Sequence, residues 1–268
     1  MSAAHPFEVR RFERLGSTNT YLLEQARSGA PAGLVAVADH QSAGRGRLGR
    51  RWEAPPGTCL LVSVLLRPCL DPEDRPLGAV AVALAAVDAC REVAGVRAEV
   101  KWPNDLVVDD RKLAGVLAEV DPGAPGGVPG SVAMVVGLGL NVDWPGPPEA
   151  GGTCLSDVAG RAVEREALLE GWLAALGGRA GALGGARGRK ALAQELRVRC
   201  ATLGRQVRVE LTDGSAFAGH AVDLTGPGHL VVDVDGARRV VAVGDVRHLR
   251  PAPPPEQGAA SGDPAASG

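Results

Sequence analysis

Apolar and polar residues alternate over 7–15, the pattern of a half-buried strand. The cluster Ser17-Thr18-Asn19-Thr20 follows at once, and its side-chain oxygens can cap a helix that runs through 21–27. A second strand is expected over 34–38. A third, over 58–66, is so continuously apolar that both of its faces should be covered. Leu77, Val80, Ala81, Leu84, Val87 and Ala94 recur near helical spacing, which predicts a helix over 76–94 with Pro76 in its first turn. Four strand-like runs come next, at 98–102, 105–108, 112–120 and 132–142, with Asp109-Asp110 as a hairpin turn. Helices over 165–176 and 190–199 close this region, separated by a glycine-rich segment, 177–188.

The pattern changes at Gly204. Short strands at 206–211, 215–224, 229–234 and 238–243 are split by Thr212-Asp213-Gly214, Gly226-Pro227-Gly228 and Asp235-Gly236, as in a small antiparallel barrel. The expected fold is therefore α+β: a mixed, mostly antiparallel sheet flanked by helices over 1–203, then a small β-barrel over 204–250. The Pro-, Ala-, Gly- and Ser-rich residues 251–268 are expected to be a disordered tail.

Composition narrows the function classes. A net charge of -2 gives no general attraction to polyphosphate or anionic lipid. The apolar run 77–90 is interrupted by Asp88 and too short to span a bilayer, and the N-terminus lacks the apolar core of a secretion signal, so a cytoplasmic protein is expected. Five cysteines without a CxxC pair fit reduced thiols, and the five histidines are too scattered for a metal site. Of 29 basic residues only Lys101, Lys112 and Lys190 are lysine, which makes a lysine here a minority choice.

Three segments carry candidate chemistry. In GRGRLGRRW, residues 44–52, glycines let the backbone approach a ligand while Arg45, Arg47, Arg50 and Arg51 converge on it. That suits a phosphate, and equally a flexible basic loop or a segment that contacts RNA; it is neither a Walker loop nor a dinucleotide fingerprint. In KWPND, residues 101–105, a proline-fixed turn sets Asn104 beside Asp105, a pair that can hold a metal, accept a proton or simply close an Asx turn. If 105–120 is a hairpin, Asp105 and Lys112 converge from adjacent strands. The glycines of GLGLNV, residues 137–142, mark the close approach of a ligand or of the arginine loop, or a bulge.

In this order, Ser17-Thr18-Asn19, Gln41, GRGRLGRRW, KWPNDL, KLAGVLAE and GLGLNV resemble the biotin protein ligase family over about residues 12–142, with the C-terminal barrel in the matching place. The resemblance implies a class II synthetase-like catalytic domain with an SH3-like barrel. It also implies a two-step reaction, in which biotin and MgATP give biotinyl-5'-AMP, and a lysine of a biotin carboxyl carrier protein then takes the biotinyl group. Carried over by motif, Ser17, Thr18, Asn19, Gln41 and Gly115 would meet biotin. Arg45, Gly46 and Arg47 would close over both biotin and adenylate, and Lys112 would lie between the carboxylate and the α-phosphate. Arg50, Trp52, Asn104 and Asn141 would complete the adenylate site. Lys112, Arg47 and Asp105 would be catalytic, and Asn104 with Asp105 would hold Mg²⁺.

The first strand begins within about ten residues of Met1, so a ligase without the N-terminal helix-turn-helix of some relatives is expected, with no specific DNA and no membrane partner, as a monomer or homodimer. The nearest alternative is a lipoate or octanoate ligase of the same fold. A non-catalytic nucleic-acid binder fits less well, because 206–250 offers only Phe217 as a stacking aromatic. Four arginines in one glycine-rich loop repel one another, so the loop is expected to be mobile until an anion binds.

Overall fold

In the computed structural model, which describes residues 7–249, the predicted strands assemble into two sheets. The larger has seven strands in the order β1-β2-β3-β7-β6-β5-β4. These are β1 (Glu8–Leu15), β2 (Leu34–Gln41), β3 (Cys59–Leu66), β4 (Glu99–Lys101), β5 (Asp105–Val108), β6 (Arg111–Asp121) and β7 (Ala133–Asn141). Helix α1 (Thr18–Arg27) links β1 to β2, and a helical crossover of this kind allows those two strands to pair in parallel. The remaining pairs of the sheet are antiparallel.

One face of the sheet is covered by α1, whose Leu22 and Ala26 pack with Leu34, Ala36, Leu65, Ala133 and Val135. The other carries α2 (Pro76–Ala94), α3 (Leu155–Ala159), α4 (Arg165–Ala182) and α5 (Ala186–Arg199). β3 is buried along its whole length, as its unbroken apolar run predicts for a central strand covered on both faces. Asp109 and Asp110 have φ of 49° and 61°, the left-handed conformation that a tight two-residue hairpin needs at both central positions.

Two helix boundaries differ from the periodicity. α4 continues through Gly177, Gly178 and Gly181, and α5 begins four residues earlier than expected. Leu176 and Leu183, both buried, hold this stretch against the core, and that burial outweighs the weak helix propensity of glycine, about 1 kcal/mol per residue. α3 was not legible as a helix.

The smaller sheet is antiparallel, in the order β11-β10-β9-β8-β12: β8 (Gln206–Glu210), β9 (Ala216–Leu224), β10 (Leu230–Val234), β11 (Ala237–Val241) and β12 (Asp245–His248). Four of these match expected strands; β12 is additional. What the pairing defines is a five-stranded sheet with β11 and β12 at its edges. Val207, Val209, Ala221, Leu230 and Val232 belong to the same hydrophobic cluster as α2 and the large sheet, so the two sheets share one core. The disorder expected for 251–268 lies outside the described residues.

Candidate active site

A cavity of about 620 Å³ opens where α1, the large sheet, the 44–52 loop and β12 meet. Its inner end is polar and buried. Ser17 caps α1 and accepts from Thr20 N–H, which turns the following two side chains toward β3 and β6. Thr18 donates its backbone N–H to Gln41 Oε1 at 2.7 Å, and its hydroxyl lies 2.6 Å from that of Ser63. Ser63 donates to Asn19 Oδ1 at 2.6 Å, and Asn19 Nδ2 donates to Glu119 Oε2 at 2.9 Å and to the Leu117 carbonyl at 3.2 Å. From Ser63 the chain runs in one direction, to Asn19 and on to Glu119, while the one hydrogen of the Thr18 hydroxyl lies within reach of both Ser63 and Gln41 Oε1, the latter 3.1 Å away. Gln41 spends its oxygen on Thr18, which leaves its amide hydrogens for another acceptor.

The middle of the cavity holds the lysine. The bulge between Leu106 and Val107 and the β5–β6 register bring Lys112 Nζ to 2.8 Å from Asp105 Oδ1. Nζ also sits 5.6 Å from the centre of the Trp52 ring. That ring lies on β6 and β7 where both carry glycine: a Cβ on Gly139 would come within 2.5 Å of it and one on Gly115 within 3.1 Å. The close approach expected at the strand glycines is thus made at Gly139 by the arginine loop's own tryptophan, and at Gly137 by Asn19 and Ser63. Trp52 Nε1 is buried with no hydrogen-bond partner, an unsatisfied donor in the cavity wall.

The outer end carries the arginines. Backbone bonds from Gly46 N to Arg50 O and from Trp52 N to Gly44 O fold the loop back on itself. Arg45 pairs with Glu119 at 2.8 Å. Arg47 donates to Asn104 Oδ1 at 3.0 Å and to the Gly244 carbonyl at 3.3 Å, and lies 3.6 Å from Asp245, which also pairs closely with Arg50. Burial lowers the pKa of Arg47, and Asp245 and Asp105 oppose the shift. These contacts correct the expectation that only a bound anion can offset the repulsion within the loop: Glu119 and Asp245 already supply the compensating charge.

Of the site residues carried over from the family resemblance, all but Asn141 line this cavity. Asn141 is buried outside it, where it donates to the Thr153 carbonyl and accepts from Cys59. The stretch around Thr153, bonded to Lys112 O of β6, covers it. Sequence reasoning passed over Ser63, Glu119 and Asp245. Ser63 did leave a signal, as the lone hydroxyl in the apolar run CLLVSVLL.

A resident metal does not fit the expected pair. Both ends of the Asn104 carboxamide are spent, on Arg47 and on the Val116 carbonyl, and an oxygen of Asp105 is held by Lys112. Among the described residues no group of three or more His, Cys, Asp or Glu could hold an ion.

The large sheet with its helices, its loop-covered cavity and the small C-terminal sheet define a ligase-type fold. It superposes on the biotin protein ligase from Aquifex aeolicus in complex with biotin and ATP with a TM-score of 0.75 at 23% identity, over 91% of this chain and 99% of that one. At this identity the likeness establishes the fold. Residues 11–141 match the biotin/lipoate A/B protein ligase family. The biotin--[acetyl-CoA-carboxylase] ligase of Mycobacterium tuberculosis is 37% identical over 88% of this chain and 86% of its own length. The bifunctional ligase/repressor BirA of Bacillus subtilis is 34% identical over 58% of this chain and 48% of its own. The chain belongs to the biotin/lipoate A/B protein ligase family.

Proposed function

We propose that the protein is an ATP-dependent biotin protein ligase. The observation that carries this reading is the union, in one cavity, of a buried chain of hydrogen-bonding hydroxyls and amides at one end, Lys112 in the middle and Arg47 at the other end. A ureido ring has a carbonyl and two N–H groups that must be satisfied when buried, and Thr18, Asn19, Gln41 and Ser63 offer donors and acceptors for it. The biotin carboxylate then lies toward Lys112. Its oxygen attacks the α-phosphorus of the nucleotide, pyrophosphate leaves toward Arg47 and Arg50, and the Lys112 ammonium stabilises the charge gathering between carboxylate and α-phosphate. When substrate takes over Lys112, Asp105 is released to accept a proton from the incoming lysine. That amine attacks the acyl carbon and AMP departs.

A lipoyl or octanoyl chain has no ureido group, and would bury the spare Gln41 amide hydrogens without a partner. The acceptor on this reading is the biotin carboxyl carrier domain of a carboxylase. We assign the reaction to the cytoplasm, a reducing compartment that suits the free cysteines 59, 69, 90, 154 and 200. On this reading the catalytic unit ends at about residue 203, and the strands from 206 to 248 form a module packed on it. No helix of the described residues is long and apolar enough to cross a membrane. The test is ATP-dependent transfer of labelled biotin to a carrier domain with a single acceptor lysine. Label that requires ATP and that lysine supports the reading, and absence of transfer at stoichiometric enzyme overturns it.

A further inference from the structure

β12 touches the catalytic unit at a second point, away from the arginine loop. His248, opposite Val207 of β8, has only 9% of its side chain exposed. Its Nδ1 lies 3.2 Å from Asp110 Oδ1 in the β5–β6 turn, and its Nε2 lies 3.1 Å from Thr202 Oγ. Thr202 is fully buried, and its Oγ accepts the backbone N–H of Trp102 at 3.0 Å. The indole N–H of Trp102 donates to the Gly228 carbonyl at 3.0 Å. Trp102 opens the turn that presents Asn104 and Asp105 to the cavity.

The Asp110 carboxylate only accepts, so the ring nitrogen facing it, Nδ1, carries a proton. In the neutral ring Nε2 is then bare and accepts the single hydrogen of Thr202, whose oxygen accepts from Trp102. With the ring neutral, each donor meets an acceptor. A second ring proton would set an N–H against the fully buried Thr202 hydroxyl and displace its hydrogen from Nε2.

We propose that neutral His248 is a positioning residue for the reaction: it orients Thr202, and through Thr202 the Trp102 backbone that aims Asn104 and Asp105. The inference rests on the ligase reading of the cavity. The charged groups that face the ring are Asp110 and Arg205, which donates to both Asp110 oxygens at 2.7 Å, together with Lys101 of β4; Asp245 and Arg247 share its own strand. Burial lowers the pKa of His248, Asp110 opposes this, and Lys101 and Arg205 add to the lowering. A depressed folded pKa means that the relay is complete above the unfolded value, about 6.5, and is lost as pH falls through the lower folded value.

The experiment is biotin transfer at saturating substrates from pH 5.5 to 8.5 for wild type, His248→Gln and His248→Ala, with thermal melts to confirm folding. Glutamine offers Thr202 an acceptor that does not titrate. His248→Gln is expected to keep kcat within about threefold of wild type at pH 8 and to flatten the acid limb. His248→Ala should lose roughly tenfold or more in kcat at every pH, because misaimed groups react slowly, while KM for biotin moves less than about twofold. A folded His248→Ala with wild-type kcat, or a His248→Gln that keeps the wild-type acid limb, overturns the proposal. Wild type that transfers no biotin at all removes the ligase reading, and the proposal with it.

Discussion

The inner end of the cavity and its arginine-lined outer end satisfy their polar groups in opposite ways. At the inner end Thr18, Asn19 and Ser63 are at most 5% exposed and sit on α1 and β3, regular elements pinned by the core. Their hydrogen bonds to one another are short and neutral, and the chain ends on Glu119, the carboxylate that Arg45 pairs from the other side. At the outer end Arg45 and Arg50 are about half exposed or more, on a loop with little regular structure, and their partners Glu119 and Asp245 come from other elements. The inner end can receive a ligand without rearranging, since the Gln41 amide hydrogens are spare and the Thr18, Ser63 and Asn19 oxygens keep lone pairs for a donor. The charged end must exchange protein carboxylates for the ligand's phosphates. Recognition of a neutral ring is thus preorganised, and the handling of charge is an exchange of ion pairs.

The largest effect should come from the residue between the two ends. Lys112→Ala is expected to fold and to lose about a hundredfold in biotin-dependent pyrophosphate release, since one preorganised charge at a developing anion is worth ~3 kcal/mol. An unchanged rate would take Lys112 out of the reaction and dissolve the division.

Ser63→Ala tests the inner end. It leaves Thr18 and Asn19 without their shared partner, at a cost of about 1–3 kcal/mol, so KM for biotin should rise roughly tenfold with little change in kcat. An equal rise in KM for ATP would show that the ends are not separable.

A third change, smaller in rate, tests the outer end. Arg47→Gly removes the bonds to Asn104 and Gly244 and adds backbone freedom. Adenylate should still form, but escape and acylate bystander lysines. Biotin incorporated into serum albumin is the readout, and a variant that makes adenylate yet labels albumin no more than wild type would show that the loop does not retain it.

The inner end was partly legible in the sequence because its cap cluster, Ser17-Thr18-Asn19, is contiguous and chemically unusual before a helix. The hairpin that joins Asp105 to Lys112 was legible for the same reason: both arms and the Asp109-Asp110 turn are local. The outer end was legible only in its cations. Asp245 is nearly two hundred residues from Arg47 and lies on an edge strand that periodicity did not reveal, so nothing local announces that the repulsion within the loop is balanced. Ser63 stood out as a polar residue in an apolar run, but its role depends on α1 crossing β3, which is a tertiary fact. Asn141 shows the converse: a well-placed motif residue that the neighbouring chain covers and satisfies.

The most direct measurement compares acids at the same lysine. Protein and MgATP are mixed with biotin, or with octanoate, and pyrophosphate is counted over a single turnover. The inner chain of Thr18, Ser63 and Asn19 predicts release of about one equivalent with biotin and little with octanoate, because a site built for a hydrogen-bonding ring rejects a chain that leaves it unpaired. Release that is equal for the two acids, or greater with octanoate, would contradict the account.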